Sequence, residues 1–213
     1  MTRCCARDYE KVFGRKTADR DARRFRKRGL RGSAKALADL AGDVCGATVL
    51  EVGGGVGAIE IALLETGAAR ATNVELVATY EDAADELLAE RGLSGRVDRR
   101  IGDFVSEADV IEPHDVVVMH RVVCCYPDVD ALVGIAARHA RKRMILTYPQ
   151  ERGALRAAIS LVNAVMRLSG STFQVYLHPV ERIAAAARAN GLTLAERRRH
   201  GFVWESAAFS AAP

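Results

Sequence analysis

No apolar run in this chain of 213 residues approaches the roughly 20 needed to cross a bilayer. The opening stretch, MTRCCARDYEKVFGRK, is charged throughout and lacks the apolar core of a secretory signal, so a cytoplasmic protein is expected. The five cysteines contain no C-x-x-C spacing, which leaves a zinc site or a thioredoxin-type motif without support, and no metal is expected. Four of them form two adjacent pairs, Cys4-Cys5 and Cys124-Cys125; neighbours rarely bridge each other, and cytosolic thiols stay reduced. Low-complexity tracts and internal repeats are also missing.

What remains is ordinary globular material, 49% hydrophobic, enough for one medium domain with a small appendage. The net charge of +4 is unevenly spread: residues 1–35 hold 13 Lys/Arg against 4 Asp/Glu, while the rest of the chain is net acidic. Such a segment is either a solvated helix face or a basic flap that attracts an anionic partner.

Ala18, Ala22 and Phe25 recur at helical spacing and predict a helix ended by Gly29; Leu30, Ala34, Leu37 and Ala41 predict a second. The period then changes. Strands are expected at 48–52, 71–76, 97–104, 114–120 and 143–148, alternating with helices at 59–66, 78–92 and 128–140. This alternation predicts βαβ units and a parallel sheet covered on both faces. Two more helices, 152–168 and 180–190, precede two strands joined by a link too short for a crossover. These must pair as an antiparallel hairpin. The expected fold is therefore α/β, a Rossmann-like, seven-stranded, mostly parallel sheet with a C-terminal hairpin. Residues 1–42 are read as a helical lid and 43–213 as the main domain, with a helical insertion near 150–178.

The loop after the first strand reads two ways. From Gly53 it spells G-x-G-x-x-A, a dinucleotide pyrophosphate loop. From Glu51 to Gly57 it spells E-x-G-x-G-x-G. An acidic residue at the end of the second strand, Glu75, suits a ribose diol in either case. Glu51 separates the two, because a carboxylate there repels pyrophosphate and attracts a cation by about 4 kcal/mol at 4 Å in a partly buried site.

Taken together, the E51-V-G-G-G-V-G57 loop, N73-V-E75-L, I101-G-D-F104 and the final hairpin resemble the class I S-adenosylmethionine-dependent methyltransferases over roughly residues 45–210. That resemblance implies S-adenosyl-L-methionine as cofactor and assigns roles residue by residue. Glu51 lies beside the glycine loop and the methionine end, and Gly53 and Gly55 make the close-approach turn. Glu75 takes the ribose hydroxyls, with Leu76 against the adenine. Asp103 accepts the adenine amino proton beside Phe104, and His120 lies near the sulfonium. For Glu75 a plain surface carboxylate, and for Asp103 a helix cap, stand as alternatives.

The segment H120-R-V-V-C-C-Y-P-D128 resembles the post-strand stretch of small-molecule methyltransferases, with cysteines where that pattern has histidines. The D-P-P-Y or N-P-P-Y tetrad of amino methyltransferases is missing. The C-Y-P ending and H178-P…G201-F-V-W-E-S are loosely similar to the magnesium-protoporphyrin O-methyltransferase branch. Cys124, Tyr126, Tyr148 and His178 are candidate acceptor-side residues, with His178 or Tyr126 as a candidate general base and Trp204 read as core. Arg23, Arg24 and Arg26–Arg28, with Lys27 between, are candidates for selecting an anionic substrate. The expected activity is methyl transfer, by preference to oxygen, on a small anionic or carboxyl-bearing metabolite. An RNA methyltransferase docking through the basic N-terminus, a non-catalytic binding module and a dinucleotide oxidoreductase are the rivals. Helix 155–168, apolar nearly all round, is a candidate contact for a second copy of the chain.

Overall fold

The computed structural model describes residues 6–211, with side chains from Asp8 onward; Cys4 and Cys5 lie outside that range. One sheet runs in the order β3-β2-β1-β4-β5-β7-β6. Strands β1 (Thr48–Val52), β2 (Arg70–Glu75), β3 (Val97–Ile101), β4 (His114–His120) and β5 (Ala140–Pro149) are parallel. Strand β7 (Trp204–Ala211) lies antiparallel to β5, and β6 (Leu192–His200) pairs antiparallel with β7 on the outer edge. The hairpin is thus as expected, with its second strand inserted inside its first.

Helices cover both faces, and the strand sequences show why. In β1, Val49 packs into a cluster with the helices α2 (Arg15–Arg28), α3 (Gly32–Leu40), α4 (Ala58–Glu65) and α5 (Glu81–Glu90). Its neighbours Leu50 and Val52 point the other way, into a cluster with α7 (Val129–His139) and α9 (Val180–Arg188). A strand buried on both faces is apolar along its length rather than alternating, as β4 also is. Glu51 breaks that rule, and it falls on the α4 face.

Helix α1 (Ala6–Val12) and α2 lie over the carboxyl ends of the strands. Ala18, Ala22 and Phe25 of α2 are buried, as their spacing predicted. Leu37 and Leu40 of α3 are completely enclosed, at about 1.5–3 kcal/mol each, and Arg143 Nη1 donates to the Leu40 carbonyl at 2.8 Å. Helix α3 therefore packs as a core helix. Helix α8 (Gly153–Leu168) has no buried residue, and Leu161, Val165 and Leu168 stand exposed.

Two boundaries differ from the sequence expectation. Strand β3 stops at Ile101, because Asp103 caps the short helix α6 (Phe104–Glu107) by accepting the Val105 amide proton at 3.1 Å. The helix expected over 78–92 opens instead as a 3₁₀ turn, Ala78–Tyr80, before α5 begins.

Candidate active site

Strands β1 and β4 are parallel neighbours at the point where the strand order reverses, and such a point opens a crevice at the carboxyl ends of the strands. A cavity of about 650 Å³ occupies it. Glu51, Gly53, Gly55, Glu75, Leu76, Asp103, Phe104 and His120, all eight residues assigned to cofactor contact, border this one cavity.

The turn out of β1 needs its glycines. Gly53 adopts φ 64°, and a Cβ there would meet Val122 Cγ2 at 2.6 Å. Gly55, at φ 57°, lies against the Tyr80 ring and donates its amide proton to Glu75 Oε2 at 2.8 Å. Glu75 Oε1 takes the Val77 amide proton at 3.2 Å. A carboxylate offers about four lone-pair positions. Two hold the loop, and two remain for a ligand.

Glu51 is more enclosed than the sequence suggested. Only 1% of it is accessible, and Oε2 accepts the Glu60 amide proton from the first turn of α4 at 2.9 Å. It stands in register with Asn73, which stands in register with Arg99, a polar row crossing three strands beneath the glycine loop. Asn73 Nδ2 donates to Glu60 Oε2 at 2.9 Å. Arg99 pairs with Glu60 at 3.4 Å and Glu81 at 2.7 Å, and also donates to the Gly55 carbonyl. Four carboxyls, Glu51, Glu60, Glu75 and Glu81, thus share one guanidinium. Burial and the neighbouring Glu60 charge push the Glu51 carboxyl well above its usual range; burial raises Glu60 to about 7. The carboxylate expected to meet a cation at Glu51 is instead enclosed, and burial disfavours its charged form.

His120 closes the floor, its Nε2 at 3.0 Å from Ser33 Oγ of α3. Burial, with Arg121 and His200 nearby, lowers its imidazole to about 3, so it is neutral at ordinary pH. Asp103 combines two roles, capping α6 and bordering the cavity, where the Tyr126 hydroxyl reaches both of its oxygens at 3.3 Å.

The acceptor-side candidates fare differently. His178 is 8% accessible; its Nε2 bonds the Tyr126 carbonyl at 2.9 Å and its ring stacks on Tyr176, so it braces the wall rather than serving as a base at the mouth. Tyr148 is buried within the sheet and donates to Glu205 at 2.8 Å, away from the cavity. Cys124 is buried with its thiol against the Arg121 carbonyl, and Cys125 is the cysteine that lines the cavity. Tyr126 does line it, beside Asp103. Trp204 is half-buried, one face covered by the Arg121 guanidinium at 4.6 Å.

Of the basic helix, only Arg24 among the residues singled out reaches the cavity, joined by Arg20 and Arg31. Arg26 is held by Glu86 and Glu90 of α5. The sequence offered no sign of Arg99 or Glu60, since a lone polar residue in a strand or helix carries no motif, and it showed Asn73 only as part of the strand-end motif; register and the contacts of Glu60 bring the three together.

No protein-family model matches the sequence, and no curated sequence matches it either. Solved structures match throughout. Magnesium protoporphyrin IX methyltransferase from Synechocystis, with bound S-adenosylhomocysteine, superposes at TM-score 0.68 with 19% identity over 84% of this chain and 82% of that one. Geranyl diphosphate C-methyltransferase from Streptomyces coelicolor gives 0.69 with 14% identity over 84% and 78%. A methyltransferase bound to the Haloferax volcanii activator Trm112 gives 0.71 with 16% identity over 98% of both chains. The chain has the class I S-adenosylmethionine-dependent methyltransferase fold.

Proposed function

We propose that the chain binds S-adenosyl-L-methionine in this cavity and transfers its methyl group to a small acceptor bearing an anionic or carboxyl group, with oxygen as the favoured target. The surplus of carboxyls over guanidinium beneath the glycine loop carries the reading. Carboxyl groups in such excess disfavour a pyrophosphate and favour a positively charged ligand.

The other residues fit the same ligand. The two open positions on Glu75 suit a ribose diol. Leu76 and Phe104 supply apolar surface for the adenine, and Asp103 accepts its amino proton once the Tyr126 hydroxyl gives way. A neutral His120 adds no repulsion beside a positive centre. When bound, the cofactor supplies an activated methyl and a neutral leaving group. The protein has to exclude water and align the acceptor, an effect that supplies about 7–11 kcal/mol. Helices α1 and α2 form the cover over the cavity, and no dedicated base is required.

A second, compatible reading adds a protein partner. The mutual 98% coverage with a Trm112-bound methyltransferase and the outward apolar side of α8 both favour one, either a second copy or another protein. RNA docking through the basic N-terminus loses support, because Arg15 and Arg26 are already paired to α5.

Calorimetric binding of S-adenosylmethionine against NAD tests the cofactor, with a Glu51→Ala/Glu75→Ala double variant as blank. Radiolabelled methyl transfer into a fractionated cell extract then tests the acceptor. Selective cofactor binding and variant-sensitive label in small molecules are expected. Preference for NAD, or label in RNA, would overturn the reading.

A further inference from the structure

Arg121 is the only residue other than glycine among the described residues with positive φ, at 61°. A side chain that is not glycine or asparagine pays for that backbone, and such strain persists where the surroundings over-determine it. Here the surroundings are specific. The Arg121 carbonyl accepts the Cys124 and Cys125 thiols at 3.3 and 3.6 Å, and Cys125 also receives the Tyr9 hydroxyl on its own carbonyl. The guanidinium lies on the Trp204 ring, and Nη2 donates to Ser33 Oγ at 3.1 Å, the same hydroxyl that meets His120. Backbone, stacking and hydrogen bond together aim one cation into the cavity, one residue beyond the end of β4.

That cation makes no salt bridge among the described residues, and Asp21 acts on it only at longer range. Among the described residues no carboxylate pairs with Arg121, nor with Arg24 or Arg31, which border the same cavity. Arg20 and Asp21, also on this wall, pair with each other at 3.4 Å. Three guanidinium groups without a salt bridge therefore line the same cavity as Glu51 and Glu75. Enclosure and then repulsion from Arg24 act against the Arg121 charge, while Cys124 and Asp21 favour it, and an incoming anion would favour it further. The cavity also has an apolar lining, Phe13, Phe25, Leu30 and Val122, with the Tyr9 ring set edge-on to Phe173 at 5.1 Å.

We infer that Arg121, held by Ser33 and Trp204 and supported by Arg24 and Arg31, is the acceptor's anchor, and that it takes the carboxylate of a flat aromatic acid. The guanidinium offers a planar fork that matches a carboxylate, and the aromatic wall matches a ring. This rests on the cofactor reading, because the acceptor shares the cavity with it.

The test uses the full chain saturated with S-adenosylhomocysteine and compares naphthoate with its neutral amide by calorimetry. The wild type is expected to bind the acid about tenfold more tightly than the amide. Arg121→Asn, chosen because asparagine tolerates positive φ, is expected to lose that preference while its S-adenosylhomocysteine affinity stays within about threefold. Arg31→Gln, on the exposed rim, should reduce the preference about threefold and keeps the test open if the first variant misfolds. Equal binding of acid and amide by the wild type, or an unchanged preference in both variants, would refute the anchor. A wild type that does not bind S-adenosylhomocysteine at all would instead sink the cofactor reading beneath it.

Discussion

Glu60 is fully buried, yet it must share Arg99 with Glu81. Its raised value, about 7 against an ordinary 4.5, means that the folded state holds a proton which the unfolded chain has released. The associated stabilisation is complete below the unfolded value and is lost as pH rises through about 7. His120 works in the opposite sense. Its value falls from 6.5 to about 3, so its contribution is present above 6.5 and lost as pH drops towards 3. Between the two ordinary values Glu60 and His120 oppose each other, with Glu51 and Glu75 acting in the sense of Glu60. Glu60→Gln removes the Glu60 contribution. Relative to the wild type, its stability should climb with pH over that interval, by at most about 1.4 kcal/mol per unit. Thermal melts across a pH series decide; a variant whose profile parallels the wild type would show that Glu60 is ionised throughout. None of this was readable from the sequence. Glu60 there is one acid in the helical stretch IEIALLET, whereas Glu51 was recognisable from its spacing to the glycines.

At the scale of elements, the glycine loop couples three parts of the fold. Gly53 lies under Val122, Gly55 lies against Tyr80 and is tied to Glu75, and α4 begins where Glu51 receives the Glu60 amide proton. Gly53→Ala would place a methyl inside Val122 and force positive φ on alanine. It is expected to cost about 1–3 kcal/mol in denaturant unfolding and to weaken cofactor binding at least tenfold. Unchanged binding would mean the loop moves freely, contrary to the packing described. The loop, the strand ends and the final hairpin were legible because each carries a local signature: β-branched runs, glycines and a short link. The extent of β3 was not. A capping aspartate after two residues of extended chain looks the same in sequence as a strand that continues.

For the whole molecule, the outward side of α8 is the unresolved surface. Sixteen residues make a helix about 24 Å long, and a strip about 10 Å wide along it covers only about 240 Å². A stable interface needs about 800 Å² from each partner. Pairing through α8 alone is therefore expected to be weak, and sedimentation at micromolar concentration should find a monomer. A tight dimer abolished by Leu168→Glu would show instead that α8 is the centre of a larger contact surface. The N-terminal helices also acquire their meaning only at this scale. Exposed ion pairs from α2 to α5 contribute little individually, so α1 and α2 are held mainly by Ala18, Ala22, Phe25 and the aromatic contacts around Phe173.

The sheet, its hairpin and the gathering of eight expected residues around one cavity could be read from the sequence, because these depend on period, turn chemistry and short-range spacing. The acceptor half was decided only by tertiary structure. His178 and Tyr148 were drawn from local context and proved to be buried braces, while Arg121 gained its role from Ser33 and Trp204, 88 and 83 residues away along the chain. Burial and charge pairing are properties of what surrounds a residue. For a site assembled from distant segments, they exist only once the chain has folded.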